Sequence, residues 1–198
     1  MHDAEPMKPS NTGWLIADVV RSTFAFGWSR TEVSEELMAL LQDPQWQPYV
    51  VFPGEFVDPP ERVMHALPAA SAASAASAAS AGHARRPLFI LLDGTWSEAR
   101  KMFRKSPYLD GLPVLSLKPE QISRYRLRRS KREDHFCTSE VAALCLELTQ
   151  HPQDMHAGHV LEHYLEVYTH HYLQAKNQLL PDTNSVAHTA FRAAHQPS

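Results

Sequence analysis

The run Asp93-Gly94-Thr95-Trp96-Ser97-Glu98-Ala99-Arg100-Lys101-Met102 sets a carboxylate, a glycine and a Thr-x-x-Glu step directly after the apolar stretch Pro87–Leu92. A carboxylate at a strand end above a sheet is a poor core residue unless partnered, so Asp93 is a candidate for chemistry. Thr95 and Glu98 have capping-box spacing and are expected to start a helix, whose first N–H groups suit a ligand carboxylate or another anion. Trp96 has two readings, ligand stacking or core packing; its spacing to Ala99, Met102 and Phe103 favours the core. Two further turns have the same strand-end character. They are Pro53-Gly54-Glu55 and the segment Lys118-Pro119-Glu120 leading to Ser123-Arg124-Tyr125.

A rival chemistry sits near the C-terminus. His159-Val160-Leu161-Glu162-His163 matches the H-x-x-E-H pattern of inverted zinc peptidases, with His156 one turn earlier. A third ligand is needed, and after Glu166 the only acid is Asp182 in a polar stretch. The same segment reads as an ordinary amphipathic helix through Val160, Leu161, Tyr164, Leu165, Tyr168 and Tyr172, so no metal is expected. The two cysteines, Cys137 and Cys145, are too few for a disulfide scaffold or a four-cysteine zinc site and point to a reduced, cytoplasmic setting. No apolar run exceeds six residues and the N-terminus lacks a leader pattern, so neither a membrane span nor a signal peptide is expected.

Charge is unevenly placed. The chain has a net charge of −3, yet Arg100–Arg132 holds eleven basic and two acidic residues, a local +9 against −12 elsewhere. Such a segment attracts a polyanion through phosphate neutralisation, the bland alternative being a solvated helix face.

These residues need elements to position them. At 198 residues the chain can bury one substantial core. Pro48–Pro53, Pro87–Leu92 and Leu112–Leu117 are β-rich, non-alternating and bounded by Pro or Gly, as strands of a parallel sheet covered on both faces are. Thr23–Trp28 is a weaker fourth. Helical patterns occupy about 12–20, 32–42, 96–105, 139–150 and 158–176, and their alternation with the strands predicts an α/β fold. Ala69–Gly82, an (Ala-Ala-Ser) repeat closed by glycine, reads as a low-complexity loop insertion. One domain over 1–176 is expected, followed by a polar tail, 177–198. Ligands of open parallel sheets bind beyond the carboxyl ends of the strands, so the strand-end turns are expected to line one cleft.

Asp93–Met102 resembles the signature of the DTW-domain family, the tRNA-uridine aminocarboxypropyltransferases. The likeness extends to Lys8-Pro9-Ser10-Asn11-Thr12-Gly13, to Tyr49–Glu55 ending in Pro-Gly-Glu, to Ser123-Arg124-Tyr125-Arg126 and to Thr138-Ser139-Glu140-Val141-Ala142, in the family's order. The resemblance implies a SPOUT-like, mainly parallel sheet flanked by helices, with a C-terminal trefoil knot around the pocket for S-adenosylmethionine. It implies transfer of that cofactor's 3-amino-3-carboxypropyl group to N3 of a tRNA uridine, with methylthioadenosine released. Asp93 is then the expected base, with Glu55 second. Thr12, Phe52, Pro53, Gly54, Leu92, Thr95, Trp96, Leu115, Ser116, Thr138 and Glu140 match cofactor-contacting positions. Arg100, Lys101, Arg124, Tyr125, Arg126, Arg128, Arg129, Lys131 and Arg132 are expected to meet tRNA, with Phe136 available for stacking. Many members carry a cysteine-rich segment ahead of the Asn-Thr-Gly turn; a shortened form, or one that dispenses with it, is expected here. A monomer is favoured. Two other readings stay open at this point, a SPOUT-like methyltransferase and a non-catalytic RNA-binding module.

Overall fold

The computed structural model describes residues 11–68, 85–117 and 137–195. They fall into two compact units, one built from 25–118 (with 1–6) and one from 7–24 with 119–198.

The first unit contains helix α1 (Glu35–Gln42), capped by Ser34, whose hydroxyl accepts from the Leu37 N–H. Strand β1 (Trp46–Val51) follows, then β2 (Val63–Met64), β3 (Arg86–Leu91), helix α2 (Trp96–Arg104) and β4 (Val114–Leu115). All three strand pairings are parallel, in the order β2-β4-β1-β3. Register runs from Trp46 opposite Arg86 to Val51 opposite Leu91, and Val50 pairs with Val114. Val50, Val114 and Leu115 are fully buried, which is why these runs are apolar without alternation. Ala99, Met102 and Phe103 of α2 pack with Val50, Phe52 and Val114 in the core. The sheet is thus mixed α/β in the sense expected, with four parallel strands and flanking helices.

The second unit is helical among its described residues. Helix α3 (Gly13–Val19), α4 (Thr138–Leu148), α5 (Pro152–Lys176) and α6 (Val186–Ala194) make it up. Helices α4 and α5 approach closely at Gly158, where an added Cβ would stand 3.2 Å from the Ala143 carbonyl oxygen. Leu161 and Leu165 of α5 are buried as well.

Three details differ from the sequence reading. Thr23–Trp28 forms no strand; Trp28 buries its ring in the core and donates from Nε1 to Ser106 Oγ at 2.9 Å. The run Leu112–Leu117 pairs as a strand only at Val114–Leu115. The stretch 177–198, read as a polar tail, carries α6, capped by Ser185 and docked on α5 with Phe191 against Tyr164 at 5.4 Å. Phe191 is its only large ring, too little for a hydrophobic period to register. Ala69–Gly82 and Arg124–Arg132 lie wholly outside the described residues, as does the path through 118–136 on which a knot would depend. No helix among the described residues is long and apolar enough to cross a membrane.

Candidate functional site

Because every strand of the sheet points the same way, the turns after β1, β3 and β4 emerge along one edge. Neighbouring strands lie about 4.8 Å apart, so the three turns fall within roughly 10 Å of one another. After β1, Phe52 donates its N–H to the Leu115 carbonyl (3.2 Å), tying the first turn to the end of β4. Gly54 then donates to Ser116 Oγ at 3.0 Å, and Ser116 donates its own N–H to the Met64 carbonyl at 2.8 Å. His65 adds a bond from Nδ1 to the Ser116 carbonyl (3.0 Å). A Cβ at Gly54 would stand 2.8 Å from Val63 Cγ1 and 3.2 Å from Ser116 Oγ, so only glycine fits this turn without displacement. Glu55 follows, exposed, in the short 3-10 turn Gly54–Phe56.

After β3, Asp93 is buried, with 5% of its surface exposed. Helix α2 starts three residues later, at Trp96, with Thr95 as its cap. Thr95 Oγ1 accepts from the Glu98 N–H (3.4 Å), and Glu98 Oε2 accepts from the Thr95 N–H (2.7 Å) and from its hydroxyl. The Thr95–Glu98 spacing therefore forms the capping box that it predicted. The box takes up the Thr95 hydroxyl, so Thr95 serves the helix start first.

Trp96 sides with the core reading. Its ring stacks on Phe52 (5.5 Å between centroids) and stands edge-on to Phe56 (5.1 Å), while Phe52 also stacks on Phe103 at 4.3 Å. Phe52 and Leu115 are buried, so only their backbone is at the sheet edge. Arg100 and Lys101 are exposed on α2. The Arg100 guanidinium carbon lies 4.9 Å from the Phe56 ring centre, and the Lys101 ammonium 5.5 Å from that of Trp28. Arg104 and Lys105, one turn further on, are exposed as well. These two, together with Phe56, were not singled out by sequence reasoning; the i, i+4 spacing of the basic pairs was the available signal.

In the second unit, Thr12 is buried and its Oγ1 accepts from the Ser139 N–H at 3.4 Å. Asn11 Oδ1 accepts from the Gly13 N–H (2.6 Å), which shapes the Asn-Thr-Gly turn at the start of α3. Glu140 Oε2 accepts from the Cys137 N–H (2.8 Å) and so caps α4, with Thr138 in its first turn. Burial first, then the Glu140 carboxylate, pushes the Cys137 thiol up to about 12, and burial raises that of Cys145 too. Arg124, Tyr125, Arg126, Arg128, Arg129, Lys131 and Arg132 lie outside the described residues. His159, Glu162 and His163 lie on α5, where His163 Nδ1 bonds Glu166 Oε2 at 3.2 Å. Among the described residues, no group of three His, Cys, Asp or Glu side chains is arranged to hold a metal ion.

No solved structure matches the chain. The family model described as DTW domain matches residues 1–173, a span that takes in both units and every strand-end turn. That family is associated with tRNA modification. With its Asp93-Gly94-Thr95-Trp96 turn, its Pro53-Gly54-Glu55 turn and a match over most of its length, the chain belongs to the DTW-domain family.

Proposed function

We propose that this protein transfers the 3-amino-3-carboxypropyl group of S-adenosylmethionine to N3 of a uridine in tRNA. The observation that carries the reading is Asp93, a buried carboxylate at the carboxyl end of β3, within a chain matched to the DTW domain. The residues present fit the cofactor. Small residues (Gly54, Gly94 and Ser116) line the three adjacent turns, so little side-chain bulk stands at this edge of the sheet. When bound, S-adenosylmethionine supplies an electrophilic γ-carbon and a sulfonium leaving group that departs as the neutral thioether of methylthioadenosine.

The protein's own task is then narrow. Uridine N3 must lose its proton, and Asp93 is the residue proposed to take it, with Glu55 second. As the group passed from the sulfonium to N3, the Asp93 carboxylate would take up and hold the N3 proton. A positioned carboxylate is worth about 10²–10⁴-fold. The leaving thioether needs no acid, so alignment of N3, Cγ and sulfur supplies much of the remaining acceleration. Phe52, Pro53, Gly54, Leu92, Thr95, Trp96, Leu115 and Ser116 are proposed to contact the cofactor, Phe52 and Leu115 through their backbone. Thr12, Thr138 and Glu140 join them on the strength of the resemblance, as does the SPOUT-like, knotted arrangement. Arg100 and Lys101 on α2 are proposed to meet tRNA phosphates, together with the basic residues of 124–132.

The test is nucleoside mass analysis of tRNA incubated with the purified protein and S-adenosylmethionine. A uridine heavier by an aminocarboxypropyl group, with methylthioadenosine formed in equal amount, is expected. A methylated uridine would make it a methyltransferase, and unchanged tRNA that is nevertheless bound would make it an RNA-binding module.

A further inference from the structure

We propose that the imidazoles of His170, His171 and His188 form a proton-sensitive clasp that holds α6 on α5 at neutral pH and releases it as the medium turns mildly acidic. All three lie in the second unit, two on α5 and one on α6. His188 is buried, with 9% of its surface exposed. Its Nε2 stands 2.8 Å from His171 Nε2, and its Nδ1 2.8 Å from Ser185 Oγ, the residue that caps α6. The His188 ring meets those of His171 and His170 edge-on, at 4.8 and 5.9 Å between centroids. His170 Nε2 is buried with no hydrogen-bond partner among the described residues.

Proton counting gives the device its direction. A hydrogen bond between two Nε2 atoms needs one nitrogen that carries a proton and one that does not. The His171–His188 pair therefore accepts one extra proton and excludes a second. Docked, the His171–His188 pair holds no more than one extra proton, and burial keeps His188 below its ordinary value; undocked, that restriction is gone.

The groups facing the cluster reinforce this. Burial, then the positive charges of His171, His170 and Arg192, hold His188 below its ordinary value, and only Asp182 in the α5–α6 connection opposes them. From α3, Asp18 accepts the Tyr164 hydroxyl at 3.0 Å, and the Tyr164 ring lies against Phe191 of α6. The open form thus binds more protons than the docked form, so docking is tightest above the ordinary value and weakens as pH falls through it. The one excluded proton raises the opening constant about tenfold between about pH 7.5 and 5.5.

Hydrogen exchange of the full chain across this range, in the presence of a chelator and corrected for intrinsic exchange rates, tests the clasp. Amides of α6 should lose about tenfold in protection, while those of α4 hold. The double variant His170→Gln/His188→Gln keeps polar groups that do not titrate, and its profile should be flat. His170→Gln/His171→Gln gives the same readout should the first fail to fold. Unchanging α6 protection in the wild type, parallel loss in α4, or an equal slope in the double variants would overturn the proposal. A pH response that appears only when zinc replaces the chelator would overturn it too, in favour of a metal site.

Discussion

Replacing Asp93 by Asn removes a negative charge from a position with 5% exposure while keeping side-chain size and one carbonyl-type acceptor. The turn around it is held independently by the Thr95–Glu98 capping box and by α2 packing through Ala99, Met102 and Phe103. The fold should therefore survive the change. If the carboxylate takes the N3 proton, single-turnover product formation on tRNA should fall about 10²–10⁴-fold, which is roughly 2.7–5.4 kcal/mol of transition-state stabilisation. The control lies at the other capped helix of the same unit. Ser34→Ala strips the cap of α1 and should cost about 1 kcal/mol of stability, with turnover close to normal at temperatures where the protein is folded. Melting temperature, calorimetric affinity for S-adenosylmethionine and single-turnover rate are measured on the same samples. A folded Asp93→Asn protein with near-normal turnover would refute Asp93 as the base and move the role to Glu55. Loss of cofactor binding would instead make Asp93 a binding group for the methionine ammonium.

Gly54→Ala places a methyl 2.8 Å from Val63 Cγ1 and should cost about 1–3 kcal/mol, read as a lowered urea midpoint at unchanged slope. Met102, 1% exposed in the core of the first unit, should cost about 2–5 kcal/mol when changed to Ala, measured in the same way. Neutralising Arg100 and Lys101 together should weaken tRNA binding and reduce the slope of log affinity against log salt by about one unit per lost phosphate contact; an unchanged slope would leave them a solvated face. With its thiol held near 12, Cys137 should carry about one part in 10⁵ thiolate at pH 7, so alkylation of the folded protein should be negligible and should appear only on denaturation.

What the sequence determined by itself was local. Apolar runs without alternation located β1 and β3 to within a residue or two; burial on both faces accounts for that composition in β1, whereas β3, at the edge of the sheet, is only half-buried. Thr95 and Glu98 declared the start of α2, since a capping box is a contact between residues three apart. Asp93 stood out because a carboxylate there conflicts with the greasy run before it.

Tertiary structure decided what depends on partners far apart in the chain. The strand order β2-β4-β1-β3 places the turns after β1 and β4 side by side, and the Gly54–Ser116 bond spans 62 positions that no periodicity links. β4 shrank to two residues because its neighbours, not its composition, set how far the ladder runs. Arg100 lies over Phe56 because α2 packs back across the sheet edge. Helix α6 had only one large ring to announce it; capping by Ser185 and contact with His171 hold it in place, and side-chain contacts between separate helices leave no pattern in the order of residues.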